Sequence, residues 1–393
     1  MHGYIFSEES IIDEVVVSFF SSPSSFTGED VVEISSHGGI ATYQALIQIL
    51  NNYELRQANT GEFSRRAVMN GKMDIIQAEA ISDLIRSETQ FQGKQFLSQT
   101  TGQYSKAINI IRSEIINYCS LLELEIDFTE EGIELVNKKH LIGQLEIIKA
   151  KVEQMYLSYE KGIFIKNGIK VAIIGPPNSG KSSLFNALLE KNRSIVTELP
   201  GTTRDFIEDH IFIKGAKLVL QDTAGIRESN EVIEKKGIET SEKLLKKADI
   251  VVLVIDSQNQ EMLTAFKKES TKRTIKVLNK IDLNKASQKF DACISVKTGE
   301  NLDNIIKLLE QEVMRLVEIP KSSQPVVTNE RHKRKLLKAC QYLDGVKTEI
   351  EKDSIETACI ELRQATKELD EILGKITTEE IQNNIFENFC IGK

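Results

Sequence analysis

Cysteine is scarce in this chain and never paired. The five in 393 residues (Cys119, Cys293, Cys340, Cys359 and Cys390) are scattered, with no C-x-x-C pair among them. That argues against a zinc site and a disulfide framework, and for a reducing cytoplasm. Long apolar runs are missing too. The longest, Ile250 to Ile255, has the length of a buried strand and not of a membrane span, so no membrane partner is expected. The N-terminal MHGYIFSEES has no basic region followed by an apolar stretch and reads as neither a signal nor a transit peptide. A broad positive field is also absent, because 58 Asp and Glu outnumber 50 Lys and Arg to leave a net charge of −8. A nucleic-acid substrate would therefore have to be gripped by a partner or by one local patch.

What is present is an ordinary globular composition, 40% hydrophobic and 27% charged, long enough for two or three domains. Residues 1–73 mix short strands (14–20, 30–35) with a helix at 41–50, and the polar, glycine-containing stretch 59–74 reads as turns. From Ile75 the apolar residues recur at three- and four-residue spacing, as in long amphipathic helices of a bundle, and the same pattern returns after Lys321. The basic cluster Arg331 to Lys335 reads as a solvated helix start rather than an RNA site. Between the helical parts, strand patterns at 206–213, 217–222, 248–256, 274–280 and 291–296 alternate with helical ones at 236–247, 258–270 and 301–317. The expected fold is thus α/β plus all-α: a doubly wound sheet (166–320) inserted into a helical domain (74–165 and 321–393), with a small α+β N-terminal domain (1–73).

The α/β segment opens with IKVAIIGPPNSGKSSLFNA, residues 169–187. Gly175, Gly180, Lys181 and Ser182 fill the G-x-x-x-x-G-K-[ST] template, with a strand pattern before and a helix pattern after. Backbone N–H groups of such a loop and the following helix N-terminus meet phosphate oxygens, Lys181 adds charge at the β/γ-phosphates, and the Ser182 hydroxyl suits Mg²⁺. Asp222-Thr223-Ala224-Gly225 ends a later strand, where the aspartate can hold Mg²⁺ through water and the Gly225 N–H can meet the γ-phosphate. Asn279-Lys280-Ile-Asp282 ends another. A carboxylate at Asp282 accepts from the N1–H and exocyclic amine of guanine, a donor pair that adenine lacks. Ser295-Val296-Lys297 would close over the base. In this order after a phosphate loop, these motifs specify a GTPase. Ile226 stands where many GTPases carry a water-orienting glutamine, and no arginine finger is identifiable; Arg227 reads equally well as a solvated side chain.

The segments SFTGEDVVEISSHGG (25–39), TGEFSRRAVMNGKMDIIQAEAISDLI (60–85), GPPNSGKSSLFNAL (175–188), IVTELPGTTRD (195–205), DTAGIRES (222–229), NKID (279–282) and FCIGK (389–393) resemble the MnmE (TrmE) family of tRNA wobble-uridine-modifying GTPases, essentially end to end. The resemblance implies a potassium-dependent GTPase. GTP would be held by Asn178, Ser179, Gly180, Lys181, Ser182 and Ser183, by Thr197, Glu198, Leu199, Pro200, Gly201, Thr202 and Thr203, and by the motifs above. K⁺ would be held by Asn178, Thr197, Leu199 and Thr202, and Mg²⁺ by Ser182 and Thr203. Glu234 would orient the attacking water, with Lys181 as the catalytic cation; from the residues alone Glu234 is one carboxylate in a charged stretch. A tetrahydrofolate derivative (methylene or formyl) would meet Glu33, Lys72 and Lys393, with Cys390 near that site; Glu33, Lys72 and Lys393 read otherwise as surface charge, and Cys390 as a small buried thiol. The resemblance further implies a homodimer, a MnmG (GidA)-type flavoprotein partner carrying FAD in a heterotetramer, and tRNA as substrate. Family members usually begin with a further Gly-rich, strand-forming stretch, which this chain starts after; the N-terminal domain is therefore expected to be incomplete, whether by gene model or by truncation. Val296 replaces a commoner alanine. The alternative function is a regulatory RNA- or ribosome-associated GTPase with no modification chemistry.

Overall fold

The computed structural model describes residues 1–7, 10–128, 137–191, 208–222, 248–261, 263, 273–284, 286, 289–317, 325–376, 385–387 and 389. The helical pattern at 236–247 lies outside them, as does most of 258–270. Contacts gather the chain into two units, one of residues 1–86, 96–156 and 331–393, the other of 87–95 and 157–330.

The first unit opens with an antiparallel sheet in the order β1-β2-β3, from β1 (His2–Ser7), β2 (Ser10–Phe20) and β3 (Val31–Ser35). Helix α1 (Ile40–Asn52) packs on β2, burying Val15 and Leu46. The stretch 59–74, read from the sequence as turns, holds helix α2 (Glu62–Met69) instead. Its start is set by Gly61 at φ +65°, a left-handed conformation that glycine adopts at no steric cost. A Cβ on Gly61 would also come within 2.9 Å of the Phe386 carbonyl, so the C-terminal segment lies directly on this turn. Helix α3 (Ile75–Ile85) begins with a reciprocal cap: Gln77 N donates to Asp74 Oδ1 at 2.9 Å and Asp74 N to Gln77 Oε1 at 3.0 Å.

The bundle continues through α4 (Gln90–Thr100), α5 (Gln103–Phe128), α6 (Lys138–Leu157) and, after the α/β unit, α10 (Glu330–Glu351) and α11 (Ile355–Leu373). Helix α11 packs along α5, with Ile108, Ile115, Ala365 and Leu369 all fully buried. The Arg112 guanidinium crosses this seam to Asp370. The cluster Arg331 to Lys335 is not a solvated helix start. His332 is buried, Arg331 and His332 pair with Glu79, and Lys335 pairs with Glu368 and Glu371, because this helix face is turned into acidic neighbours on α3 and α11.

In the second unit, after α7 (Tyr159–Asn167), a six-stranded sheet runs β5-β6-β4-β7-β8-β9: β4 (Ile169–Ile174), β5 (Glu208–Ile213), β6 (Ala216–Asp222), β7 (Ile250–Asp256), β8 (Arg273–Asn279) and β9 (Ala292–Cys293). All pairings are parallel except β5 with β6. Only two residues of the strand pattern at 291–296 join the ladder, followed by an isolated bridge from Ser295 to Glu300. Helices α8 (Lys181–Lys191) and α9 (Leu302–Val317) carry buried apolar faces into the larger core. Val171 and Ile173 point to one core and Ala172 and Ile174 to the other, which is why β4 reads as an unbroken apolar run. The register places Asp222 beside Ile173 and Asn279 beside Asp256, so the carboxyl ends of the strands share one edge, where ligands of such sheets bind. Among the described residues no helix is long and apolar enough to cross a membrane.

Candidate functional site

At that edge β4 turns into the loop 175–180 and then α8. Two glycines are required by space. A Cβ on Gly175 would lie 2.1 Å from the Val254 carbonyl oxygen, and one on Gly180 would lie 2.2 Å from Asn279 Nδ2. Gly180 also holds φ at +94°. The loop thus follows a path that only bare backbone can take, closed by a turn in which Ser179 N donates to Pro176 O at 3.4 Å, the kind of backbone concavity that receives anions. Ser179 is fully buried and its hydroxyl has no hydrogen-bond partner among the described residues, a polar group inside the cradle that a phosphate-bearing ligand would satisfy. Lys181 Nζ donates to Pro176 O at 2.8 Å, folding over its own loop. Ser182 and Ser183 are exposed at the first turn of α8.

The 279–282 turn is fastened to this loop. Asn279 Nδ2 donates to Ser179 O at 2.9 Å, while Asn279 Oδ1 accepts from the Lys280 and Val296 amides at 2.8 and 3.1 Å. Lys280, at φ +64°, donates from Nζ to the Asn178 carbonyl at 2.8 Å and to Asp256 Oδ2 at 2.6 Å. Ser295 Oγ donates to Asp282 Oδ1 at 2.6 Å and so fixes the exposed carboxylate. Such a carboxylate, with its second oxygen open, accepts from a donor edge of a base. Asn178, Ser179, Gly180, Lys181, Asn279, Lys280, Asp282, Ser295 and Val296 are therefore brought together; Lys297 lies exposed just beyond. Asp222 ends β6 at the same edge by backbone register. Thr197 to Thr203, Thr223 to Gly225 and Glu234 lie outside the described residues, as do Ile226 and Arg227.

Asp256 was not singled out by motif. It is 7% exposed; although burial raises its carboxyl, the Gln258 amide and the Lys280 ammonium hold it below the usual carboxylate range. Its signal in the sequence is an acid ending the otherwise apolar run 250–255, at a ligand-facing strand end.

Of the residues in the first unit, Glu33 is exposed on β3 opposite Ser18. Lys72 Nζ donates to Pro23 O at 2.9 Å, and its stem lies over Gly28. No hydrogen bond or ion pair among the described residues joins Glu33 to Lys72, and Cys390 and Lys393 lie outside them. Beside Lys72 is a pocket of about 850 Å³ lined by Arg56, Glu62, Arg66, Asn70 and Phe386 among others. Glu62 is its hub: Arg56, Arg66 and the Asn59 amide converge on it, and the Arg56 guanidinium first of all holds its carboxyl well below the ordinary range.

Comparison with known proteins adds the following. Residues 75–390 match the family model described as the MnmE helical domain, and residues 1–72 that of the GTP-binding protein TrmE N-terminus. A tRNA modification GTPase MnmE of Aquifex aeolicus is 39% identical over 390 residues, covering 97% of this chain and 87% of its own length. Proteins of the same name from Clostridioides difficile and Carboxydothermus hydrogenoformans are each 37% identical, covering 100% and 98% of this chain and 88% and 87% of their own lengths.

Proposed function

The chain belongs to the MnmE family of tRNA modification GTPases, and from that premise we propose how its residues carry out GTP hydrolysis and what they work with. It is a GTP hydrolase of tRNA modification. The observation that best supports a guanine nucleotide here is the single hydrogen-bonded structure formed by the phosphate loop and the 279–282 turn, with a buried Ser179 hydroxyl in the cradle that has no partner among the described residues.

In this reading the amides of 178–183 and the N-terminus of α8 receive the phosphates, and Lys181 exchanges the Pro176 carbonyl for β/γ-phosphate oxygens. Asp282, oriented by Ser295, reads the two donors of guanine, with Val296 and Lys297 closing over the base. The Ser182 hydroxyl, with Thr203, suits Mg²⁺, and Asp222 suits its water shell, beside the Thr223, Ala224 and Gly225 backbone. Asn178, with Thr197, Leu199 and Thr202 of the 197–203 loop (which includes Glu198, Pro200 and Gly201), offers the oxygens that K⁺ prefers. Bound there, the ion supplies the positive charge that an arginine finger gives elsewhere. Glu234 orients the attacking water in place of the glutamine that Ile226 replaces.

We assign the modification chemistry to a folate one-carbon unit added at carbon five of the wobble uridine. Glu33 suits the donor edge of a pterin. Among the described residues Lys72 has one fixed acceptor, which leaves two N–H donors for a carboxylate; Lys393 joins it, with Cys390 close by. A flavoprotein of the MnmG type carrying FAD, with this chain as a homodimer in a cytoplasmic heterotetramer, supplies the grip on tRNA that a net charge of −8 does not. The relatives' shared name along nearly the whole chain favours this over a regulatory GTPase without modification chemistry.

Steady-state GTP turnover in KCl against NaCl tests the ion. Potassium is expected to accelerate it and Asn178→Ala to abolish the difference; equal rates in both salts refute it. Affinity capture of the tagged chain is expected to recover the flavoprotein, and deletion is expected to leave wobble uridine unmodified.

A further inference from the structure

We propose that Asp256 is a positioning residue for the nucleotide site: through the Lys280 ammonium it holds the phosphate loop at Asn178 in its ligand-ready shape. The contacts form a line. Asp256 Oδ2 accepts from Lys280 Nζ at 2.6 Å, and the same ammonium donates to the Asn178 carbonyl at 2.8 Å. Both residues at the far contact stand in left-handed backbone, Asn178 at φ +59° and Lys280 at φ +64°. Non-glycine residues hold that conformation only when their surroundings over-determine it. Asp256 provides this surrounding from the end of β7. Its other oxygen accepts from Gln258 N at 2.9 Å, while neighbouring Ser257 donates from Oγ to Lys280 O at 2.7 Å and from N to Asn279 O at 3.0 Å.

The carboxylate is buried, and the Lys280 ammonium is its one ion-pair partner among the described residues. Without the charge at Asp256, the ammonium keeps only neutral oxygens as fixed acceptors among the described residues and gains by turning to water. Asn178 is then released, and the order of the loop must be supplied at the moment of binding. Asp256 touches neither base nor phosphate in this arrangement, so guanine selectivity, which Asp282 sets, stays unchanged.

The test is a double-mutant cycle on the full chain with Asp256→Asn, Lys280→Met and both together, titrated with N-methylanthraniloyl-GDP. D256N is expected to weaken GDP about tenfold, the loss of roughly one charge-assisted hydrogen bond. The double variant is expected to bind no more weakly than K280M alone, and the preference for GDP over XDP is expected to hold. In turnover, D256N is expected to raise the potassium concentration for half-activation. GDP affinity within twofold of wild type, or losses that simply add in the cycle, overturn the proposal. Should D256N not fold, D256E, which keeps the charge but moves it by one methylene, is expected to lose affinity several-fold; unchanged affinity in D256E overturns the proposal equally. The potassium arm rests on the ion site proposed at Asn178 and the GDP arm does not. A wild-type enzyme indifferent to potassium would therefore sink that site alone.

Discussion

Glu79→Gln should damage the helical unit although it is isosteric. Glu79 lies on α3 against the start of α10, with Arg331 Nη2 at 3.1 Å from one carboxylate oxygen and His332 Nε2 at 2.8 Å from the other. Tyr104, fully buried, meets the His332 ring at 5.5 Å between centroids, the two planes tilted by 44°. Burial alone would raise this carboxyl, but the His332 and Arg331 charges hold it at about 2 against an ordinary 4.5. At 1.36 kcal/mol per pH unit, that difference corresponds to about 3 kcal/mol. An independent route gives about 3–5 kcal/mol for removing one partner of a buried ion pair. Gln keeps the volume and one acceptor, so the lower end is expected. With two units and no tryptophan, a single unfolding curve would mislead. Hydrogen exchange of α3, α5 and α10 peptides against urea reads the right segment. The sign follows from a depressed pKa: the stabilisation is present in full above about 4.5 and is lost as pH falls toward 2. The gap between wild type and E79Q should hold from pH 8 to pH 5.5 and close below pH 4.5. A gap under 1 kcal/mol at pH 7, or one unchanged at pH 3, refutes the assignment.

Three further outcomes follow from geometry. Gly180→Ala places a methyl 2.2 Å from Asn279 Nδ2 at a left-handed φ, and should both weaken GDP by tens-fold or more and cost about 2 kcal/mol in the α/β unit; near-wild-type titration would contradict the fit. Asp282→Asn should shift preference from GTP toward XTP, since an amide offers a donor where the carboxylate only accepted; a retained preference for GTP would remove Asp282 from the base. Burial pushes the Cys119 and Cys340 thiols up to about 12, so iodoacetamide at pH 8 should leave both unmodified until denaturant is added, as peptide mass spectrometry would show.

The α/β unit was largely legible because its signals are local. An apolar run buried on both faces, β4 or β7, announces a strand, and the template at Gly175 to Ser182 announces the turn after it. What escaped depends on partners distant in sequence. Helix α2 hides among glycines because Gly61 starts it from a left-handed turn packed on the C-terminal segment. The charges of Arg331 and Lys335 look solvated until α3 and α11 supply the acids. Asp256 carries no motif; only the parallel register of β7 with β8 sets it beside Asn279 and within reach of Lys280.

The seam between α5 and α11 has a cost in time. Arg112 and Asp370 meet across 258 positions of sequence, and residues 157–330, with every strand of the six-stranded sheet, are synthesised between them. At about 5–20 residues per second, α5 waits on the order of ten seconds or longer for its partner. Throughout that interval Ile108, Ile115 and Leu122, all destined for the interior, have no α11 to cover them. The α/β unit, whose strands pair with closer neighbours, can meanwhile close on the ribosome. A nascent chain stalled before Ile355 would therefore carry a finished nucleotide cradle on half of a helical core, a species suited to chaperone capture or to aggregation.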